Sequence, residues 1–434
     1  MSENWITQLP ERWKLKQIRH IFRIHNGATP TSGDSEYWNG DINWITPEDL
    51  GNNTGKGIAE SRRKITTEGY ANSGVSLAPA GSIAISTRAP IGHLAITTIP
   101  SCVNQGCRLL EPKEGNPDFW YYATVAAKPI LVSRGQGTTF MELPRQGLAS
   151  VKLPVPPVQE QQAIARFLDF KTAQIDFLIA KKQTLLEKLA EKRTALITRA
   201  VTKGLDHSAQ MKDSGVEWLG EIPKCWKQTR VKFIGDLILG LTYSPNDVVG
   251  DNGTLVLRSS NVQDGKIDLN DCVYVSCDIP KKLVTKAGDL LICSRNGSRA
   301  LIGKCALISE EASGQTFGAF MTVLRTKHSR FLYYILNSAI FKFQSGRFLT
   351  STINQLTTET LGGFEIALPP DETEEAIIQY LDKATGTIDN QASKAQSVID
   401  RLKEYRAALI TNAVTGKIDV RDFSIPLPAE GQAI

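Results

Sequence analysis

The stretch RTALITRAVTKGLD, residues 193–206, returns as RAALITNAVTGKID at residues 406–419. The two lie 213 positions apart, and that offset recurs along the chain. It aligns Trp5, Pro10 and Trp13 with Trp218, Pro223 and Trp226, Leu143 with Leu356, and Pro156-Pro157 with Pro369-Pro370. Between Leu168–Asp206 and Leu381–Asp419, 18 of 39 positions are identical, which chance does not produce at one fixed offset. A period this long exceeds the 20–50 residues of solenoid repeats, so the chain is a duplicated unit of domain size.

Each copy closes on a helical pattern. Apolar residues recur at heptad spacing through Leu168, Ile175, Leu178, Leu185, Leu189 and Leu196, and again through Leu381, Ile388, Val398, Leu402 and Leu409. A 3.5-residue apolar repeat sustained over five heptads predicts a coiled-coil seam. The alternative is two separate amphipathic helices, each on its own globular domain. Length decides against it, because ordinary helices run about 11–12 residues and these patterns run near 40. A 40-residue helix spans roughly 60 Å. The short link His207–Glu221 then delivers the chain to a second globular unit at the far end of the first helix. A second helix paired with the first has to run back antiparallel to it.

The expected fold class is therefore α+β: two globular domains separated by two long antiparallel coiled-coil helices, about a pseudo-twofold axis. The divisions are 1–158 and 207–371 for the globular domains, 159–206 and 372–419 for the helices, and 420–434 for a tail. The globular parts share little sequence outside their edges. The first reads GATPTSGDSEYWNGDINWITPEDL at 27–50 and the second GLTYSPNDVVGDNGTLVLRSSNV at 240–262. Short runs such as Ile83–Thr87 and Leu290–Cys293, set among glycine turns, predict irregular sheet. Helices are predicted at Asp118–Ala127 and Ser329–Gln344.

The 434 residues carry a net charge of +5, which permits nucleic-acid binding without demanding it. No apolar stretch approaches the roughly 20 residues of a membrane span, and MSENWITQLPERW lacks a signal pattern, so the expected location is cytoplasmic with no membrane partner. Seven scattered cysteines have no histidine at finger-like spacing, so free thiols are the expectation rather than zinc.

Gly27-Ala-Thr-Pro30 followed by Tyr37-Trp38-x-Gly40-x-Ile42-x-Trp44 looks like the opening of a target recognition domain. MKDSGVEWLGEIPKCW, residues 211–226, resembles the segment that opens the second such domain, and the LIT-x-A-V-T helix ends resemble the same family's repeated helices. Over nearly its whole length the chain resembles the specificity subunit of a Type I restriction–modification system. The second globular part departs from the pattern, since Gly240-Leu-Thr-Tyr-Ser-Pro245 has no Tyr-Trp-x-Gly after it. The resemblance implies that each target recognition domain reads one half of an asymmetric, split site in double-stranded DNA. It implies that the helices set the gap and dock two methyltransferase subunits, and that motor–nuclease subunits join them. It implies no catalytic centre, cofactor or metal in this chain, with S-adenosylmethionine, ATP and Mg held by the partner subunits.

The residues agree with a non-catalytic subunit. Gly51-Asn-Asn-Thr-Gly55-Lys56-Gly57 has the wrong spacing for a phosphate loop, and nucleophile-elbow and zinc-protease motifs are missing from the sequence. For DNA contact, phosphates need cations and base edges need Arg, Asn or Gln. In the first globular part the candidates are Arg62, Arg63, Lys64, Arg88, Gln105, Arg134, Gln136 and Thr138. In the second they are Arg258, Ser259, Asn261, Arg295, Asn296, Arg299, Gln315, Arg347 and Thr350. Arg88 and Arg295 each follow an Ala-Gly-led strand, whereas Arg134 and Arg347 align at the constant offset, which suits a shared phosphate or structural role. Two other readings stay open: a coiled-coil scaffold that binds proteins rather than DNA, and an enzyme with an unrecognised site.

Overall fold

The computed structural model describes residues 5–6, 8–137, 141–348 and 355–425, with the side chains of Arg347 and Phe348 excluded. The chain divides into two compact units, Met1–Lys182 with Ser397–Ile434, and Gln183–Gln396. This differs from the linear division above, because each long helix is shared between the units.

The first unit opens with β1 (Lys14–Gln17) and β2 (Phe22–Asn26). β3 (Trp38–Ile45) and α1 (Pro47–Asn52) follow, then β4 (Gly57–Ile58) and β5 (Lys64–Ile65). Next come β6 (Ile83–Ser86), β7 (Leu94–Thr97), β8 (Ser101–Val103) and β9 (Cys107–Pro112). α2 (Pro117–Ala126), β10 (Lys152–Val155) and the long α3 (Val158–Lys203) complete the copy. The main sheet has the order β2-β9-β6-β7-β4, and β3 runs between β5 and a parallel β8. β6 is buried along its whole length, so it reads as a continuous apolar run rather than an alternating one.

The second copy carries β11 (Lys227–Arg230), β12 (Asp236–Leu239), β13 (Thr254–Leu257), β14 (Leu290–Cys293), β15 (Cys305–Leu307), β16 (Thr316–Phe317) and β17 (Met321–Arg325). Then come α4 (Ser329–Leu336), α5 (Ala339–Phe348), β18 (Glu365–Leu368) and the long α6 (Asp371–Val414). Its main sheet, β12-β17-β14-β15, repeats the order of β2-β9-β6-β7, and β13 pairs parallel with β16 as β3 does with β8. The β1–β10 pair aligns Lys14 with Val155, and the β11–β18 pair aligns Lys227 with Leu368, both displaced by 213. The two globular parts thus share one topology beneath dissimilar sequences.

Where the sequence predicts one helix over Ser329–Gln344, the structure breaks it into α4 and α5. Asn337 and Ser338 turn back on α4, through Asn337 Nδ2 to Tyr333 O at 2.8 Å and Ser338 Oγ to Ile335 O at 2.6 Å. Such local side-chain bonds compete with the helix ladder.

Proline precedes each long helix, and Asp371, Glu372 and Glu374 occupy the first turn of α6, where carboxylates oppose the positive helix end. Glycine follows each helix, with φ of +71° at Gly204 and +73° at Gly416, a conformation that costs a side-chain-bearing residue. Within the first unit the start of α3 lies antiparallel to the end of α6. Arg406 meets Asp176, while Gly416 approaches Trp13, whose indole donates to Glu160. Ile164, Leu168 and Ile175 share one core with Leu409, Ile410 and Val414. Within the second unit the end of α3 pairs with the start of α6 in the same sense. Ile197, Ala200 and Val201 share a core with Ile377, Ile378 and Leu381, and Arg193 meets Asp389.

The seam register differs from the heptad assignment. Leu168, Ile175, Leu189, Leu381, Ile388 and Leu409 are buried as expected, and Leu196 and Leu402 are half-buried. Leu178, Leu185 and Val398 are exposed, at 46%, 42% and 38%. The second inward line falls one residue later, through Thr172, Ile179, Leu186, Arg193 and Ala200 and their mates Thr385, Ala392, Ile399, Arg406 and Ala413. Thr172 and Thr385 are tolerated there because each hydroxyl donates to the carbonyl four residues back, at 2.7 and 2.6 Å. Among the described residues no helix is long and apolar enough to cross a membrane.

Candidate nucleic-acid interface

In the first unit the loops at one end of the main sheet converge. β6 ends at Ser86, one residue short of the strand read from sequence, and the chain turns away at Thr87-Arg88. Both of these amides donate to Gly106 O, at 2.8 and 3.3 Å, and Leu143 N donates to Thr87 O at 2.7 Å. Arg88 forms a bridge with Glu142, which also pairs with Gln136 through both backbone bonds. Gly27 lies so close to the Asn104 carbonyl that a Cβ would overlap it, which brings Thr29 into hydrogen bonding with Gln105. Arg88, Gln105 and Gln136 are therefore brought together. Arg88 Nε lies 3.1 Å from Glu142 Oε2, so its charge is partly spent within the protein.

Arg108 belongs to the same group and is absent from the sequence-based candidates. It follows buried Cys107 on β9, donates to Gln105 O and Cys107 O, and has a buried Nε without a hydrogen-bond partner. Burial lowers its pKa, and the nearby Glu142 opposes that shift. A cation in a strand of core residues was the available signal.

The Arg62–Lys64 cluster is largely engaged. Arg62 is anchored through its amide to Asp49 and through its guanidinium to Glu48 at 2.8 Å. The Arg63 guanidinium stacks 3.6 Å from the centre of the Trp38 ring, an arrangement that holds Arg well. Lys64 lies 4.0 Å from Glu60. Arg134 donates to Gly147 O and to Ser150 Oγ at 2.6 Å, which ties two loop turns together. Of the phosphate or structural role expected for it, these bonds supply the structural one. Thr138 lies outside the described residues.

The second unit rebuilds the same frame. Ser294 and Arg295 amides both donate to Phe320 O, Leu356 N donates to Ser294 O, and Arg295 bridges with Gln355. Gly240 meets the Gly318 carbonyl as Gly27 meets that of Asn104. Arg295 thus stands where Arg88 does, but its environment differs. Gln355 replaces the acid Glu142, and the guanidinium lies 5.0 Å from the ring of Phe320, which is 56% exposed. Nothing in Gly-Ala-Phe distinguishes Phe320 from a core position, so the sequence offers no signal for it.

Around Arg295 the structure gathers Arg258, Ser259, Asn296 and Arg299. Asn296 Nδ2 donates to Ser259 Oγ at 3.1 Å, and Arg258 pairs with Asp271 at 3.0 Å. Two candidates fall elsewhere. Asn261 is fully buried, its carboxamide oxygen accepting from Arg258 N and its amide donating to Asp268 O and Asp271 O. This is the turn that Thr46 and Asp49 form in the first unit. Gln315 accepts from Leu255 N at 3.1 Å, and its backbone pairs with Thr285, so it ties β13 to the next loop. The side chain of Arg347 and all of Thr350 lie outside the described residues.

Among the described residues His328, Asp371 and Glu374 form the group spaced to hold a metal. Their geometry is that of a structural pin. His328 Nδ1 is 2.7 Å from Glu374 Oε2, and Lys327 pairs with Asp371. In the first unit Asn116 N and Gln161 Oε1 make the corresponding link at 2.9 Å with neutral groups. Burial raises the Glu374 pKa.

The arrangement is two rims of loops, each on a rigid sheet end and carrying guanidinium, amide and hydroxyl groups. Such rims can bind phosphates and base edges, and among the described residues neither pairs a nucleophile with an oriented base.

The family model for the Type I restriction modification DNA specificity domain matches residues 10–188 and 227–400. The Type I restriction enzyme MjaIX specificity subunit of Methanocaldococcus jannaschii is 37% identical over 195 residues, covering 44% of this chain and 44% of that protein. The MjaVIII specificity subunit of the same organism is 25% identical over 433 residues, covering 96% of this chain and 95% of that one. A solved structure from work on assembly and conformational transition of the type I R-M system superposes with a TM-score of 0.69 at 17% identity. It covers 95% of this chain and 100% of that one, and shows a shared fold. With two matched segments spanning most of its length, the chain belongs to the Type I restriction–modification DNA specificity family.

Proposed function

We propose that this chain is the DNA-reading specificity subunit of a Type I restriction–modification complex. Each globular part reads one half of an asymmetric, split site in duplex DNA. The observation that carries this reading is the common loop frame around Arg88 and Arg295, which holds different side chains in the two units. One frame with two chemistries suits two different half-sites, because phosphate contacts position while base-edge contacts specify.

The long helices set the gap between the half-sites and dock two adenine-methyltransferase subunits, with motor–nuclease subunits completing the complex. Catalysis belongs to those partners, together with S-adenosylmethionine, ATP and Mg. The chain itself contributes position and sequence choice.

The test is the methylation pattern of a cell that expresses the chain with its methyltransferase partner. The expected result is methylation at one split motif with a fixed gap. Exchange of residues 14–150 for those of another specificity subunit should change one half-sequence and leave the other intact. Methylation without a split motif, or a change in both halves, overturns the proposal.

A further inference from the structure

The two units carry equivalent grooves beside the globular part, where the long helices pass. In the first, a groove of about 460 Å³ is lined by Gly92, His93, Tyr121, Lys128 and Arg406, together with Lys56, Asp169 and Asp176. In the second, a groove of about 550 Å³ is lined by Gly303, Lys304, Asn337 and Arg193, together with Arg299 and Lys342. The correspondence rests on the backbone. Gly92 and Gly303 have φ of +85° and +83°, each just before the strand that pairs with β6 or β14. Arg406 and Arg193 are mates at the 213 offset.

Their charges differ in kind. The first groove is largely balanced, with Lys128 as its one lining cation that lacks an acid partner among the described residues. Lys56 is held by Asp118 and Asp169, at 2.6 and 2.5 Å, and Arg406 by Asp176 at 2.9 Å. The second has no carboxylate in its lining. Arg193 is paired with Asp389, but Arg299 reaches only the Gly346 carbonyl, at 3.5 Å, and Lys304 only Ser259 O and Gln263 Oε1. Lys342 is exposed on α5, and Glu191 beyond it is already paired with Lys188 at 2.8 Å. Three cations thus face one groove without an ion pair among the described residues, while the acids Glu187 and Glu191 line the adjoining groove with Lys342.

The groove is continuous with the candidate interface. Lys304 bonds to the Ser259 carbonyl, and the Ser259 hydroxyl accepts from Asn296, beside Arg258 and Arg295. A polyanion following the rim past Asn296 therefore meets Arg299, Lys304 and Lys342 next.

We propose that the groove between α3 and the second globular part binds DNA backbone phosphates flanking the half-site which that part reads. The inference rests on the DNA-reading function proposed above. It adds a sequence-independent contact of several cations to the second unit, where the first groove offers only Lys128 beyond its paired charges. The footprint is then asymmetric, longer beside the second half-site.

The experiment uses the full chain co-purified with its methyltransferase partner. Binding to the selected duplex and to random duplex is measured across a range of salt concentrations. Removing one cation that neutralises a phosphate should lower the slope of log K against log salt by about 0.9. Arg299→Ala with Lys342→Ala is expected to lower the slope by about 2 on both duplexes, and Lys342→Glu to weaken binding further. Phosphate ethylation should interfere outside the second half-site and not outside the first. If Lys342→Ala and Lys342→Glu both leave the slope and the ethylation pattern unchanged while the wild-type complex still selects its split site, the groove proposal is overturned and the reading function stands. A wild-type complex that selects no site defeats the reading function itself. Saturable binding of free ATP that depends on Lys342, with an unchanged DNA slope, assigns the groove to a nucleotide phosphate and also overturns the proposal.

Discussion

Arg406 donates to both carboxylate oxygens of Asp176, 230 residues earlier, at 2.9 and 3.1 Å. Its repeat mate Arg193 makes the matching Nε contact, to one oxygen of Asp389, the mate of Asp176, at 2.9 Å. The helix end of one copy therefore pairs with the helix start of the other in each unit. A duplicated sequence has been folded into two units that both draw on both copies.

These bridges hold register more than they add stability. The paired side chains are 25–56% exposed, and ion pairs of that exposure are worth about 0.2–1 kcal/mol. Arg406→Ala should lower stability by no more than about 1 kcal/mol in denaturant unfolding. The charge swap Asp176→Arg with Arg406→Asp should recover most of that loss. A double-mutant cycle with zero coupling would show that the bridge contributes nothing in solution.

Burial along α3 separates two residues that a heptad reading puts on the same seam. Ile175 is 5% exposed and Leu178 is 46% exposed. Ile175→Ala should cost about 2–5 kcal/mol through reduced burial and the cavity left behind. Leu178→Ala should stay within about 0.5 kcal/mol. Thermal unfolding of the two variants side by side distinguishes the registers; equal losses would restore the heptad one.

Glycine at the helix ends is a steric requirement. A Cβ on Gly416 would lie 2.6 Å from Pro10 Cγ, and the residue also has a φ of +73°. Gly416→Ala should destabilise the first unit by about 1–3 kcal/mol. Gly204→Ala has the same φ problem but a milder 3.2 Å approach to Trp226, so its effect should be smaller. Proteolysis under native conditions reads each unit separately, with faster cleavage expected in the unit that carries the substitution.

Much of this was legible in the repeat, and the reasons for the rest are physical. The 213 offset is kept where the copies meet, at Trp13 and Trp226, along β1–β10 and β11–β18, and in the helix ends, because those residues pack on one another. Between them the offset drifts. Arg88 corresponds to Arg295, 207 positions on, because loops of unequal length separate the shared strands. Sheet order is maintained by backbone pairing, which many side chains satisfy, so the common topology left little sequence trace beyond the Ala-Gly that leads β6 and β14. The second line of the seam lies one residue from its heptad position since Thr172, Arg193 and their mates look like surface positions. Only their back-bonded hydroxyls and paired charges let them face inward. Among the candidates, composition put Arg88 and Arg295, which hold matching places in the two loop frames, on the same footing as Asn261 and Arg134, whose polar groups serve their own loops.

Thiol chemistry supplies a pH test. Burial pushes Cys102 and Cys305 up to about 12 from an ordinary value of 9.0, and raises Cys293 and Cys107 as well. A thiol raised in the folded state binds its proton after the unfolded chain has released it. Its contribution to stability is complete below pH 9 and is lost as the pH climbs from 9 towards 12. The protein should therefore lose stability above pH 9, and Cys102→Ala with Cys305→Ala should flatten that decline. At pH 8 a maleimide should label exposed Cys225 quickly and leave the buried four unmodified until unfolding. Rapid native labelling of Cys305 would contradict the packing described.

The two strand-end arginines differ in what holds them. Arg88 is held by Glu142 at 3.1 Å, whereas Arg295 has Gln355 at the matching position and the Phe320 ring 5.0 Å away. A DNA contact by Arg88 must first displace a carboxylate that itself repels phosphate, and Arg295 has no such competitor at that position. Arg295→Ala should cost about 1–3 kcal/mol of binding to the selected duplex and relax choice in the second half-site. Arg88→Ala should cost less, because competition from Glu142 has already weakened the contact that is lost. Glu142→Gln should strengthen binding to all duplexes, as a negative charge is removed near phosphate. Gel shifts with the methyltransferase complex at one fixed salt concentration measure all three variants. If Glu142→Gln weakened binding as much as Arg88→Ala, the pair would act as a unit that shapes the loop, and Arg88 would not be a DNA contact.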